Sequence, residues 1–153
     1  IKRVENPVLY HQYAKEKEAV EKDVPAGTVV ERILFHGTKA ENLPKINQES
    51  FNYRFAGTNV GTAYGVGNYF ASDFAMSYNQ YATPDSNNRK SIYQARVLTG
   101  LFTTGNSGFR MPPERNDGSQ KRYHSTVNNT SNPKIFVTYK DVGAYPEYII
   151  TCQ

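Results

Sequence analysis

The chain has 153 residues, the length of one globular domain, of which 38% are hydrophobic and 21% charged. This balance, together with 12 tyrosines and 8 phenylalanines, excludes a disordered tail, a collagen-like repeat and a coiled coil. Eighteen basic and 14 acidic residues give a net charge of +4, a bias that suits an anionic ligand but is weak for a nucleic-acid-binding protein.

The single cysteine, Cys152, excludes an internal disulfide and a zinc site built on cysteines. The chain begins Ile-Lys-Arg-Val, which resembles neither a signal peptide nor an initiator sequence, and no hydrophobic run is long enough to span a bilayer. We therefore expect residues 1–153 to be one domain, a fragment of a longer protein, in the cytoplasm or alternatively the nucleus.

The first predicted element is a helix that begins at Asn6-Pro7, because asparagine caps free N–H groups and proline is tolerated at the first helical position. Leu9, Tyr13 and Val20 share one face of this helix, and its remaining surface carries charges of both signs. Pro25-Ala26-Gly27 ends it.

Alternating and branched residues then predict a strand over residues 29–36 that runs into Gly37-Thr38, followed by a short helix over residues 39–48. Glycines next recur through a segment that must adopt unusual backbone angles or approach a neighbour closely. These glycines are Gly57, Gly61, Gly65 and Gly67.

The rest of the chain alternates short strands with short helices and turns. The predicted elements are a strand over 68–71, a helix over 73–81, a turn over 84–88, and strands over 92–99, 101–104, 134–139 and 148–151. Residues 105–133 show little periodicity, so we expect them to form the rim of an active site. The order of elements predicts an α+β fold built on a twisted sheet.

Three segments carry a family resemblance: LFHGT at 34–38, YGVGNYFA at 64–71 and PKIFVTY at 133–139. RVLTG at 96–100 and YPEY at 145–148 complete the order. Together they resemble the catalytic domain of the poly(ADP-ribose) polymerase family, the diphtheria-toxin-like ADP-ribosyltransferases, and are most similar to its macrodomain-linked mono-ADP-ribosyltransferase branch. The resemblance covers essentially the whole chain and implies mainly antiparallel twisted sheets around a cleft for NAD+, the cosubstrate.

The resemblance also implies roles for the first two segments. His36 is expected to hold the adenosine-ribose hydroxyl, Gly37 to bond the nicotinamide carboxamide through its backbone, and Thr38 to support the ribose region. A glycine suits this role because the missing side chain lets both backbone groups approach a carboxamide. Tyr69 is expected to line the nicotinamide ribose, and Tyr64 to contribute to the same NAD+ site.

Further NAD+ contacts are expected on the same resemblance and on chemistry. Ser77, eight residues after Tyr69, is expected to donate its hydroxyl to the carboxamide. Tyr81 is our first choice for the ring that stacks on the cationic pyridinium, a contact worth about 0.5 to 2 kcal/mol, and Tyr78 is the second. Arg54 is expected to reach a phosphate, with a solvated surface arginine as the alternative.

The third segment decides the predicted activity. Polymerising members carry a glutamate where this chain has Ile135, and isoleucine can neither accept a proton nor balance a positive charge. With His36, Tyr69 and Ile135 as the catalytic positions, we expect transfer of one ADP-ribose unit from NAD+ to an aspartate or glutamate of a protein acceptor, which could be the enzyme itself. Glu147 in YPEY is the alternative third position, although we interpret it as an exposed strand-end residue.

Other interpretations remain open at this stage. The alternative function is a catalytically silent module that binds NAD+ or ADP-ribose. Val66 is a second departure, since the family commonly has lysine between the two glycines. Because the three histidines are far apart in sequence, we expect no metal, and we further expect a monomer without membrane contact or a nucleic-acid partner.

Overall fold

The computed structural model describes residues 1–52, 54 and 62–153. In chain order its elements are β1 (Lys2–Arg3), α1 (Pro7–Asp23), β2 (Glu31–Thr38), a 3-10 turn (Ala40–Asn42), α2 (Leu43–Glu49), β3 (Asn68–Ala71), α3 (Phe74–Met76), a π-helical turn (Ser77–Tyr81), β4 (Lys90–Leu98), β5 (Phe102–Thr104), β6 (Ser125–Val127), β7 (Ile135–Thr138) and β8 (Ala144–Cys152).

The strands form one open sheet in the order β1-β8-β4-β2-β3-β7-β6-β5. All neighbours are antiparallel except β5 and β6, which are parallel. β2 pairs with β4 along its whole length but meets β3 at the single pair Phe35–Ala71. Two well-paired halves of the sheet are therefore joined loosely between β2 and β3. The antiparallel strand pairs, together with the helices, confirm the predicted α+β, mainly antiparallel fold.

The first helix confirms the sequence pattern. Asn6 Oδ1 accepts a hydrogen bond from the Leu9 N–H at 3.2 Å, which caps the helix, and α1 begins at Pro7. Leu9, Tyr13 and Val20 are buried and pack against the sheet with Leu98 and Tyr145.

Several predicted boundaries differ from the structure. The predicted helix over 73–81 divides into α3 and the π-helical turn, and the last strand begins at Ala144 instead of residue 148. β1 and β6 were not predicted because they are only two and three residues long. β6 is buried, and its polar side chains form hydrogen bonds there; the Ser125 hydroxyl donates to the Thr99 carbonyl at 2.8 Å. Residues 105–133 therefore include a buried strand and are not uniformly irregular. Gly57 and Gly61 lie outside the described residues.

Strand alternation separates two apolar clusters on opposite sides of β3 and β7. Phe70 and Phe136 face the main core of the domain. Their neighbours along β3 and β7 face the other side of the sheet and form a cluster that we call the Tyr69 cluster. It consists of Tyr69, Ala71, Ile135 and Val137, with Tyr64, Met76, Tyr81 and Tyr139 packed against it. Because alternate residues take opposite faces, the predicted site residues are distributed over both faces of the sheet.

Candidate active site

His36 connects β2 and β3 where their pairing has ended. Its Nδ1 lies 2.7 Å from the Tyr69 carbonyl oxygen, which can only accept, so Nδ1 carries the proton. Burial lowers the pKa of His36 although the bond to Tyr69 opposes this effect, and the ring is therefore neutral at pH 7. A neutral ring leaves Nε2 as an acceptor, which fits the hydroxyl donor of a ribose.

A pocket adjoins His36 on the main-core side of the sheet, and most of its surface is apolar. Its polar lining comes from His36, Thr38, Asn42, Lys45, Ser50, Asn52 and Asn68. The Thr38 hydroxyl accepts a hydrogen bond from Asn42 Nδ2 at 3.0 Å, so Thr38 is held within this wall. The asparagines and Lys45 were missed from sequence because they belong to different elements and form no motif.

Gly37 lies against the π-helical turn on the other side of β2. A Cβ atom at this position would be 2.5 Å from the Ser77 carbonyl oxygen and 2.7 Å from the Ala82 nitrogen, so the packing admits only glycine. Toward β3, within the part of the chain that the structure describes, the β2 backbone has no strand partner after Phe35. Gly37 therefore combines a missing side chain with a sheet edge, as carboxamide binding requires.

The Tyr69 hydroxyl is held by two hydrogen bonds. It donates to the Gly65 carbonyl at 2.7 Å and accepts from the Tyr64 N–H at 3.1 Å. Burial raises the pKa of Tyr69 to about 12, so the phenol stays protonated at neutral pH. Tyr64 packs against the same cluster, and the structure thus brings together these two predicted NAD+ contacts.

Ser77 and the tyrosines that follow it line the same side of β2. The Ser77 side chain is 1% exposed and its hydroxyl donates to the Phe35 carbonyl at 3.0 Å. With its proton used there, the hydroxyl oxygen is suited to accept a carboxamide N–H, the reverse of the predicted donation. The Tyr81 ring lies 6.4 Å from the Tyr69 ring, between centroids.

The second-choice aromatic residue, Tyr78, has different neighbours. Its ring stacks on Phe74 at 6.2 Å, and Lys90 Nζ lies 4.5 Å from the ring centroid. Because those contacts occupy Tyr78, the geometry favours Tyr81 for stacking on the pyridinium.

Ile135 is 5% exposed inside the Tyr69 cluster. It pairs with Ala71, which in turn pairs with Phe35, so one row across three strands connects the third segment to the first.

The expectation that Glu147 is an exposed strand-end residue was wrong. Its side chain is 15% exposed and lies within the nine-residue strand β8, with Oε1 3.1 Å from Arg96 Nε. A bulge between Gln94 and Ala95 shifts the pairing of β4 with β8 at this point. Three strands separate β8 from β7 in the sheet, so Glu147 is not brought to the Tyr69 cluster.

Arg54 does not line the pocket beside His36. Its Nη1 lies 3.3 Å from Asp141 Oδ1 and 3.3 Å from Asn52 Oδ1, and the side chain is exposed. Its proposed phosphate contact therefore competes with this ion pair. Val66, the departure within the second segment, donates its backbone N–H to the Phe109 carbonyl at 2.7 Å and so connects the glycine-rich segment to residues 105–109.

The long segment before β6 is attached to the end of α1. Asp23 contacts Arg115, Lys121 Nζ at 2.7 Å and His124 Nε2 at 3.0 Å. Burial opposes ionisation, but the hydrogen bonds from these three cations and donors lower the pKa of Asp23 to about 2. His124 Nδ1 accepts the Leu101 N–H at 3.0 Å, so the neutral ring is the form that satisfies both neighbours.

Two histidines make the stability of the domain depend on pH. Burial lowers the pKa of both His36 and His124 below the ordinary value of 6.5, although hydrogen bonds to Tyr69 and Asp23 oppose it. Below pH 6.5 the unfolded chain therefore binds more protons than the folded chain. As the pH is lowered, the free energy of unfolding should fall by up to about 1.4 kcal/mol per pH unit for each histidine.

Urea unfolding at pH 7.0, 6.0 and 5.5 measures this dependence. We expect His124→Gln to reduce the slope of the unfolding free energy against pH. His11→Ala removes an imidazole from the exposed face of α1 and is the control, which should leave that slope unchanged. An unfolding free energy that is constant from pH 7.0 to 5.5 would contradict the prediction.

The open, mostly antiparallel sheet is that of an ADP-ribosyltransferase fold. A family model for the poly(ADP-ribose) polymerase catalytic domain matches residues 1–107. This chain belongs to that family.

The sequence similarity to curated relatives extends along nearly the whole chain. Protein mono-ADP-ribosyltransferase PARP14 from Homo sapiens is 42% identical over 99% of the chain, PARP12 from Homo sapiens 41% over 98%, and PARP10 from Mus musculus 36% over 100%. The chain spans only 8%, 21% and 16% of the lengths of these three relatives.

No helix within residues 1–52, 54 and 62–153 is long and apolar enough to cross a membrane. No group of three or more histidine, cysteine, aspartate or glutamate side chains is arranged to hold a metal ion in the same residues.

Proposed function

We propose that this chain transfers a single ADP-ribose unit from NAD+ to a carboxylate of an acceptor protein and releases nicotinamide. The observation that carries the proposal is the position of Ile135, buried beside Tyr69 where a polymerising enzyme has a glutamate. The names of the relatives as mono-ADP-ribosyltransferases support the same activity.

The reaction balances without a general base. The bond between the ribose carbon and the pyridinium nitrogen breaks, its electron pair stays with the nitrogen, and nicotinamide leaves as a neutral molecule. A carboxylate oxygen then bonds to the ribose carbon, and the ester is formed without release of a proton. A ribose hydroxyl would release a proton on attack, and Ile135 cannot accept it. Chain elongation is therefore disfavoured, while transfer to an ionised carboxylate is not.

The described residues can bind and orient NAD+ for this step. The Nε2 acceptor of His36 suits the adenosine ribose, and the backbone of Gly37, which has no strand partner toward β3, suits the carboxamide. Tyr81 provides an aromatic face for the pyridinium, whose positive charge such a ring attracts. Holding the two ends of NAD+ on opposite sides of the β2–β3 joint orients the ribose between them, so the chain contributes mainly by positioning.

The silent-module alternative is not favoured, because His36 and Tyr69 are both present and the His36 ring donates a hydrogen bond to the Tyr69 carbonyl. Proteins are the proposed acceptors, and self-modification and action as a monomer without nucleic acid are part of the same proposal. The cytoplasm as its compartment stays a prediction.

Intact-mass measurement of the chain after incubation with NAD+ tests the proposal. Discrete additions of single ADP-ribose units on the chain or on an added acceptor protein are expected. Long ladders on a gel would contradict mono-transfer, and NAD+ binding without release of nicotinamide would favour the silent module.

The third position can be tested separately by exchanging its two candidates. We expect Glu147→Gln to retain at least about half of the transfer rate, because a neutral amide can still accept from Arg96 and the residue lies three strands from Ile135. Ile135→Ala should reduce the rate about tenfold, since it opens a cavity beside Tyr69 and disturbs ribose positioning. Loss of transfer in Glu147→Gln with an intact Ile135→Ala would make Glu147 the catalytic residue.

A further inference from the structure

Asn128 lies directly across from Ile135. The pairing of β6 with β7 runs from Ser125–Thr138 to Val127–Phe136, and one further step places Asn128 opposite Ile135. The Asn128 N–H donates to the Ile135 carbonyl at 3.3 Å, so the register continues. Since Val127 and Phe136 face the main core, Asn128 and Ile135 fall on the opposite face, which carries the Tyr69 cluster.

The two ends of the Asn128 side chain have different surroundings. Oδ1 accepts the backbone N–H groups of Lys134 at 2.9 Å and Ile135 at 3.1 Å. Two backbone donors at one atom identify it as the oxygen, so the amide orientation is fixed. Nδ2 has no hydrogen-bond partner among the described residues, and the Asn128 side chain is only partly buried.

We propose that Asn128 Nδ2 binds the carboxylate of the acceptor. A carboxylate only accepts hydrogen bonds, and Nδ2 offers only donors beside the residue that borders the reacting ribose. An amide contributes its donors without a second negative charge, so the acceptor stays ionised as its attack requires. This inference rests on the proposed function and adds to it the residue that selects an acidic acceptor.

Asn128→Asp separates binding of the acceptor from integrity of the fold. An aspartate oxygen still accepts from Lys134 and Ile135, so the turn is retained, but the free donors become a negatively charged oxygen. We expect the KM for a ten-residue glycine-serine peptide containing one glutamate to rise about ten- to a hundredfold, the size of a lost charge-assisted hydrogen bond.

Asn129→Asp is the matched control, since it makes the same change of charge one residue away. Asn129 Oδ1 accepts from Ser131 at 2.8 Å in the same turn, and aspartate preserves that bond too. Equal KM values for the two variants, or an equal fall in nicotinamide release without peptide, would overturn the proposal.

A binding measurement tests carboxylate binding at Asn128 independently of catalytic turnover. With nicotinamide and ADP-ribose present, the side-chain amide NMR signal that Asn128→Asp removes should shift on adding the glutamate peptide and not its glutamine counterpart. Absence of that shift would overturn the proposal. If the unmodified chain releases no nicotinamide at all, the proposed function fails, and this titration alone tests carboxylate binding.

Discussion

Replacing Gly37 with alanine is expected to abolish transfer and to destabilise the domain by about 3 kcal/mol. The new methyl carbon would lie 2.5 Å from the Ser77 carbonyl oxygen and 2.7 Å from the Ala82 nitrogen, closer than real Cβ atoms approach. Both neighbours are backbone atoms, so the π-helical turn must move away from β2, at a cost in the upper range for overpacking. This movement would displace Ser77 and Tyr81 from the proposed nicotinamide site together.

Thermal unfolding and NAD+ titration measure the two effects of Gly37→Ala. A loss of about 3 kcal/mol corresponds to a fall in Tm of roughly 6–12 °C for a chain of this size. Gly108→Ala is the matched control, because its Cβ atom would meet only Asn106 Oδ1 at 3.4 Å. A Gly37→Ala variant with unchanged Tm and NAD+ affinity would show that the turn does not constrain this site.

Replacing His36 with alanine is expected to lower the transfer rate by about a hundredfold. The change removes the Nε2 acceptor proposed for the adenosine ribose and the Nδ1 hydrogen bond that connects β2 to Tyr69. Leaving a buried carbonyl without its partner costs about 1–3 kcal/mol, and the lost substrate contact adds a similar amount to the barrier. It also empties space beside Phe51 and Phe70, which pack on the imidazole.

His36→Gln distinguishes substrate binding from strand connection. Its amide can donate to the Tyr69 carbonyl and keep an oxygen as acceptor, so its melting temperature should recover more fully than its activity. His11→Ala, on the exposed surface of α1, should transfer at the original rate. A fully active His36→Ala variant would remove His36 from the proposed machinery.

Part of the site was predictable because the family resemblance rests on short local segments. It implied roles for His36 and Gly37 in the segment 34–38, for Tyr69 in the second segment, and for Ser77 eight residues later. The structure places all four within or beside the joint of β2 and β3. The direction of the Ser77 hydrogen bond could not be predicted, because its acceptor, the Phe35 carbonyl, is 42 residues away along the chain.

The sequence by itself determined the capped first helix, the buried faces of the main strands and the presence of isoleucine at the third position. These features follow from side-chain periodicity and capping, which act over a few neighbouring residues. Only the tertiary structure decided that Glu147 pairs with Arg96 and that Asn128 stands opposite Ile135. Strand order and register arise from contacts between distant segments, and no local pattern in the chain encodes which edges will meet.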